Sequence, residues 1–124
     1  PKVLFKRAAE NPDKAPVTVT INYDVNNFNR LKIFGVTNEY KRCSVDLIRD
    51  NNSTPSFSGM YFTLACYNGS GSYGYLKMTD YKIVTDSGKT SFIPQYYNEF
   101  AGQDGFLCNS GIGPTIYAVY AYMI

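Results

Sequence analysis

Short segments in which apolar and polar residues alternate are the dominant pattern of this chain. Residues 17–22 (VTVTIN) alternate without interruption, which indicates a strand with one face on a core and the other in water. Further segments combine aromatic or β-branched residues with flanking turn residues, and no window keeps a helical period. The predicted strands are residues 3–5, 17–22, 30–36, 43–49, 60–67, 73–78, 81–85, 90–93 and 115–124.

Two of these strands have distinctive compositions. Residues 115–124 contain seven β-branched or aromatic residues and no charged side chain. An exposed edge strand of that kind invites aggregation, so we expect it to be buried in the core or in a subunit interface. Residues 60–67 (MYFTLACY) form the most apolar of the inner strands, and we expect them to lie in the middle of a sheet.

Turn residues separate the strands and define the fold class. Glycine and asparagine at residues 68–72 and an Asp-Ser-Gly sequence at residues 86–88 favour tight reversals. Residues 94–114 contain two prolines and four glycines, and we expect an irregular loop there. Many short strands joined by turns predict an all-β fold, an antiparallel β-sandwich of jelly-roll type. We expect residues 1–124 to be a single domain, and Pro1 in the place of an initiator Met indicates a C-terminal module of a longer chain.

Composition supports this class and argues against several functions. The chain has 12 Tyr, 8 Phe and 10 Gly, but no Trp and no His. Its net charge is only +2, and its basic residues are scattered, so we expect no nucleic-acid partner. It has no apolar run of transmembrane length, so we expect no membrane insertion.

The residues that usually carry catalysis are scarce. Without His, the commonest general base and zinc ligand is missing. Glu99 and Asp104 are the only carboxylates that share the irregular segment, and such pairs are usually solvated. We therefore expect no enzyme activity, no metal and no cofactor. Cys43, Cys66 and Cys108 are widely spaced, and we expect buried free thiols rather than a disulfide.

Tyrosine clusters are the candidate recognition residues. A tyrosine ring with amides and a carboxylate nearby suits both sugars and protein surfaces. The candidate ligand-binding residues are Tyr96, Tyr97, Asn98, Gln103 and Asp104, followed by Tyr73 and Tyr75. The alternative is that these tyrosines pack the core or anchor a loop. Tyr117, Tyr120 and Tyr122 are expected in the core or in a trimer interface.

The order of the segments also resembles a known family. The chain opens on VLFK, continues with TVTINYDVNNFNRLKIFGV and closes on IYAVYAY. This succession resembles the C-terminal domains of tail-fibre and receptor-binding proteins of tailed bacteriophages. The resemblance implies a homotrimeric β-sandwich head at the tip of a tail fibre. Such a head is made in the cytoplasm of the bacterial host, is carried on the virion and has no catalytic residues.

These expectations combine into one functional hypothesis with two alternatives. The hypothesis is a non-catalytic receptor-binding domain that adheres to a carbohydrate or protein on the host-cell surface. One alternative is a structural virion or trimerisation module without a ligand. The other is a carbohydrate-binding module of a secreted protein, against which the absence of Trp counts.

Overall fold

The computed structural model describes residues 1–8, 15–38, 41–49, 56–70, 73–102, 107–109 and 112–123. Within these ranges the chain forms nine β-strands and one short 3₁₀ turn at Val25–Asn27, without an α-helix. The strands are β1 (Lys2–Lys6), β2 (Val19–Ile21), β3 (Arg30–Val36), β4 (Arg42–Ile48), β5 (Tyr61–Ser70), β6 (Tyr73–Asp86), β7 (Lys89–Gly102), β8 (Leu107–Asn109) and β9 (Thr115–Tyr122).

The strands form two antiparallel sheets. Sheet A has the order β1-β9-β3-β4, and sheet B has the order β2-β7-β6-β5 with β8 also paired to β7. Strands from both sheets contribute to one buried cluster, which includes Leu31 and Val119 from sheet A and Phe62 and Phe92 from sheet B. The sheets therefore pack face to face, which confirms the antiparallel β-sandwich. The jelly-roll arrangement stays a prediction.

Alternation of side chains decides which residues enter the core. In β5, Phe62, Leu64 and Cys66 are buried, whereas Tyr61 and Thr63 between and beside them are exposed. The same period in β3 buries Leu31 and Ile33. Burying a side chain of this size stabilises the fold by about 1.5–3 kcal/mol. The side chains on the inner face of each of these strands therefore hold the strand against the core.

The last strand occupies the centre of sheet A. β9 pairs with β1 on one side and with β3 on the other, and its Val119 and Ala121 are 0% and 1% exposed. The expectation that this strand is buried in a core is confirmed. Its register with β3 skips one residue, because Phe34 pairs with Ala118 and Gly35 with Ile116. This bulge leaves Tyr117 on the side of the sheet that carries Phe34, with ring centroids 5.9 Å apart.

Two expectations about sheet B are wrong. β5 is an edge strand and pairs with β6 alone among the described residues; its apolar residues reflect one deeply buried face and not a central position. Residues 94–102 are also not a loop, because β7 runs without a break from Lys89 to Gly102. Pro94 is tolerated at a bulge, where Tyr81 pairs with Pro94 and Asp80 with Tyr96. A bulge is a place where a missing N–H need not remove a ladder hydrogen bond.

A reversal of two residues links the long strands of sheet B. β6 and β7 pair as far as Asp86 and Lys89, with Ser87 at φ 53° and Gly88 at φ 78° between them. Positive φ at both central positions is the geometry of a tight hairpin turn. The turn predicted at residues 86–88 is therefore confirmed.

A disulfide joins the two sheets at one edge of the sandwich. Cys43 in β4 is bonded to Cys66 in β5, with 5.2 Å between their Cα atoms. The expectation of free thiols is wrong for this pair. Their separation of 23 residues contains no hint of pairing; only the stacking of β4 on β5 brings them together. Cys108 lies in β8, and its side chain is outside the described part of the structure.

Tyr81 connects sheet B to the segment that leads into β9. Its side chain is fully buried and stacks on Phe62 at 5.5 Å, while its hydroxyl donates a hydrogen bond to the carbonyl oxygen of Pro114 at 3.1 Å. Burial raises the pKa of Tyr81 far above the ordinary phenol value. The fold therefore stabilises the neutral form of the Tyr81 phenol.

We predict that the disulfide contributes about 3 kcal/mol to the free energy of unfolding, because a cross-link of this span restricts the unfolded chain. Urea unfolding of the oxidised and the reduced protein measures the difference. The Cys43→Ala/Cys66→Ala variant is the control, and a reductant should leave its stability unchanged. Equal stability of the wild-type protein with and without reductant would contradict the prediction.

We also predict that Tyr81→Phe lowers the free energy of unfolding by about 1–3 kcal/mol, because the buried carbonyl of Pro114 loses its donor. Tyr61→Phe, which removes a hydroxyl from an exposed ring, should change stability by less than about 0.5 kcal/mol. Chemical denaturation at neutral pH measures both.

The same variant has a signature at alkaline pH. The folded-state pKa of Tyr81 is raised, so its stabilising contribution is complete below the unfolded-state pKa of about 10 and decreases as the pH rises above that value. The stability advantage of the wild-type protein over Tyr81→Phe should therefore shrink above about pH 10. An advantage that is constant or grows there would contradict this account of Tyr81.

Candidate functional site

The outer face of sheet B presents exposed tyrosines. Cross-strand register places Thr63, Asp80 and Tyr96 in one row, and Tyr61 beside Lys82 in the next, and residues directly opposite each other share a face. Tyr61, Tyr67 and Tyr96 are 59%, 66% and 49% exposed. We call one group of these outward side chains, from β5, β6 and β7, the tyrosine face. It consists of Tyr61, Thr63, Tyr67, Asp80, Lys82, Tyr96 and Asn98.

Polar contacts hold the side chains of the tyrosine face in place. The hydroxyl of Thr63 donates to Asp80 Oδ1 at 2.5 Å, and Asn98 Nδ2 donates to the hydroxyl of Tyr96 at 2.5 Å. Lys82 Nζ lies 5.6 Å from the ring centroid of Tyr61. The face therefore combines apolar rings with a carboxylate and an ammonium group, a set that can stack on and hydrogen-bond a ligand. The amide of Asn98 is only 6% exposed and supports the hydroxyl of Tyr96.

The structure separates the residues of the predicted tyrosine cluster. Tyr96 and Asn98 lie on the tyrosine face. Tyr97 instead pairs with Thr79, and the side chain of Thr79 is buried on the other side of the sheet. Successive strand residues point to opposite faces, so Tyr96 and Tyr97 do not share one flat binding surface. The expectation that they lie in a loop is wrong, because both belong to β7.

The remaining predicted site residues are placed only in part. Gln103 and Asp104 lie outside the described residues. Tyr73 and Tyr75 belong to β6, where their backbones pair with Ser70 and Asn68 of β5. Their contact with a ligand stays a prediction.

The outer face of sheet A carries a second cluster, which sequence reasoning missed. Arg30 and Lys32 of β3 pair with Tyr122 and Tyr120 of β9, and Arg42 begins β4. We call this surface the basic face. It consists of Arg30, Lys32, Arg42, Phe34, Tyr117, Tyr120 and Tyr122.

Cations lie over three of the rings of the basic face. The distance from Arg30 Cζ to the ring centroid of Tyr122 is 4.9 Å. Lys32 Nζ lies 5.5 Å from the ring of Phe34, and Arg42 Cζ lies 5.6 Å from the ring of Tyr117. Contacts of this kind are worth about 0.5–1 kcal/mol each at exposed sites, so they bias where the cationic groups sit.

The basic face has an excess of positive charge. Arg30 donates from Nε and Nη2 to Asp46 Oδ1 at 3.2 and 3.1 Å, and both side chains stay more than a third exposed. Among the described residues, no carboxylate lies within ion-pair distance of Lys32 or Arg42. Three cations therefore face one carboxylate.

The basic face also corrects the expectation for the closing strand. Tyr117, Tyr120 and Tyr122 are half-buried on the outer face and are not core residues; a role in a trimer interface stays a prediction. The signal in the sequence was the alternation within RLKIFGV. Arg30, Lys32 and Phe34 occupy one face of the strand and alternate with the buried residues of the other face.

A metal site and a membrane-spanning helix each place requirements on the described residues. No group of three or more described His, Cys, Asp or Glu residues is placed to hold a metal ion. The described part of the chain also has no helix with the length and apolarity that crossing a membrane requires.

No family model, curated protein or solved structure matches the chain. The functional conclusion therefore depends on the chemistry of the two faces.

Proposed function

We propose that this chain is a non-catalytic receptor-binding domain that adheres to a carbohydrate or protein on the surface of a host cell. The tyrosine face carries the proposal, because the exposed rings of Tyr61 and Tyr96 stand beside the ammonium group of Lys82 and the carboxylate of Asp80, and the exposed ring of Tyr67 lies farther along β5. In this proposal the domain is the head of a bacteriophage tail fibre and works as a homotrimer on the virion.

The chemistry of the tyrosine face suits shallow recognition. Tyr61, Tyr67 and Tyr96 offer large rigid contact areas at a low cost in side-chain entropy. The Thr63–Asp80 and Asn98–Tyr96 hydrogen bonds restrict the polar groups around them, so less freedom is lost when a ligand binds. Three copies on one fibre would multiply a weak affinity through avidity.

The disulfide independently supports a function outside the cell. The Cys43–Cys66 bond ties the edges of both sheets together, and disulfides persist mainly in oxidising surroundings. A virion head meets such surroundings after release from the host. A bond that restricts the unfolded chain would help an exposed particle to remain folded there.

We predict that Tyr61→Ala/Tyr96→Ala reduces adhesion by at least about tenfold, which corresponds to about 1.4 kcal/mol of lost binding energy. The measurement is binding of the fluorescently labelled protein to a panel of bacterial strains and to a glycan array. Val17→Ala, which shortens an exposed side chain outside both faces, is the control and should bind like the wild-type protein. Circular dichroism confirms that each variant is folded.

Two results would contradict the proposed function. One is a wild-type protein that binds neither cells nor glycans, as a purely structural module would. The other is undiminished adhesion of the folded Tyr61→Ala/Tyr96→Ala variant, which would move the contact away from the tyrosine face.

A further inference from the structure

We propose that the basic face of sheet A binds an acidic polysaccharide, a sugar chain with carboxylate or phosphate groups. This inference rests on the proposed function in taking the ligand to be a cell-surface glycan. It assigns the acidic part of that ligand to the sheet opposite the tyrosine face.

Charge complementarity is the first argument for this partner. Lys32 lies opposite Asp46 in the β3–β4 register but not within ion-pair distance of it, and Arg42 has no carboxylate within that distance among the described residues. The Arg30–Asp46 pair is more than a third exposed. Arg42 pairs with Val36, six residues along β3 from Arg30, which is a distance of about 20 Å at the rise of a β-strand. Cations distributed over that length suit a polymer with repeated negative charges better than a single small anion.

The rings beneath the cations are the second argument. Arg30, Lys32 and Arg42 each lie over an aromatic ring, so part of their conformational freedom is already lost before a ligand arrives. Such preorganisation reduces the entropy cost of binding. The hydroxyls of the three tyrosines add donors and acceptors, which are the groups that sugar hydroxyls need.

The same contacts disfavour a single-stranded nucleic acid. Proteins bind single strands by stacking bases on open aromatic rings. Here the rings of Tyr122, Phe34 and Tyr117 each have a cation over them. Phe34 is also flanked by Tyr120 at 5.3 Å in an edge-on arrangement. The sides of these three rings that the cations cover are not open to bases.

Charge also disfavours a second copy of the chain on this face. Two or three identical faces brought together around a symmetry axis would place Lys32 and Arg42 near their own equivalents. Charged residues are depleted at the centres of protein interfaces, and like charges that lose water there are costly. An acidic polymer satisfies the same cations without that cost.

The test compares binding of the wild-type protein to four immobilised polymers by biolayer interferometry. Polygalacturonate probes carboxylate, poly(glycerol phosphate) probes phosphate, dextran is the neutral control and oligothymidylate is the nucleic-acid control. We expect binding to at least one acidic polymer, weakening as salt rises, and none to dextran. The preferred acidic polymer identifies the anionic group.

Matched variants locate the contact. Lys32→Gln/Arg42→Gln should weaken binding to the acidic polymer by at least about tenfold. Lys2→Gln/Lys89→Gln removes the same charge from two exposed residues outside the basic face, and it should stay within about twofold of the wild-type protein. Equal losses in both variants would overturn the inference, as would tighter binding to oligothymidylate than to either acidic polymer.

Cell adhesion separates this inference from the proposed function. Adhesion of the wild-type protein to cells without binding to either acidic polymer would overturn the inference and leave the proposed function standing. Binding to an acidic polymer that is lost in Lys32→Gln/Arg42→Gln, by a protein that adheres to no cells, would support the inference and overturn the proposed function.

Discussion

The central place of β9 in sheet A is the constraint on which the rest of the structure depends. β9 uses both of its edges, one for β1 and the other for β3, so the sheet is incomplete until the last strand in chain order has paired. Its inward residues, among them Val119, belong to the shared core. Its outward residues supply the rings of the basic face. One strand therefore joins the first part of the chain, the core and a candidate binding surface.

Packing of two sheets leaves two outward faces, and the chain gives them different chemistry. Sheet B presents tyrosines with mixed polar groups, whereas sheet A presents cations over rings. The Cys43–Cys66 bond joins the sheets at the β4–β5 edge, and the Tyr81–Pro114 hydrogen bond joins sheet B to the entry of β9. These two connections tie the sheets to each other, so both faces are presented on one scaffold.

Local patterns in the sequence were sufficient to place most of the strands, but not β8 or the full length of β7, and not the neighbours of each strand. Residues 30–36 were predicted as a strand with the bounds that the structure shows, because alternation is a property of the strand itself. Three other features depend on which strands pair: the disulfide, the edge position of β5 and the cross-strand pairing of Asp80 with Tyr96. Pairing between distant segments leaves no local signal. The bulge at Pro94 likewise concealed the continuity of β7, because a proline and nearby glycines are typical of loops.

The most direct test of the central role of β9 is native-state hydrogen exchange, with the amides of Val119 and Ala121 compared with that of Ile33 in β3. If β9 cannot leave sheet A without unfolding the sandwich, all three should exchange with the same free energy, that of global unfolding. Exchange of Val119 and Ala121 about a hundredfold faster or more than Ile33, a difference of about 3 kcal/mol, would contradict the account. It would show that β9 detaches while the rest stays folded.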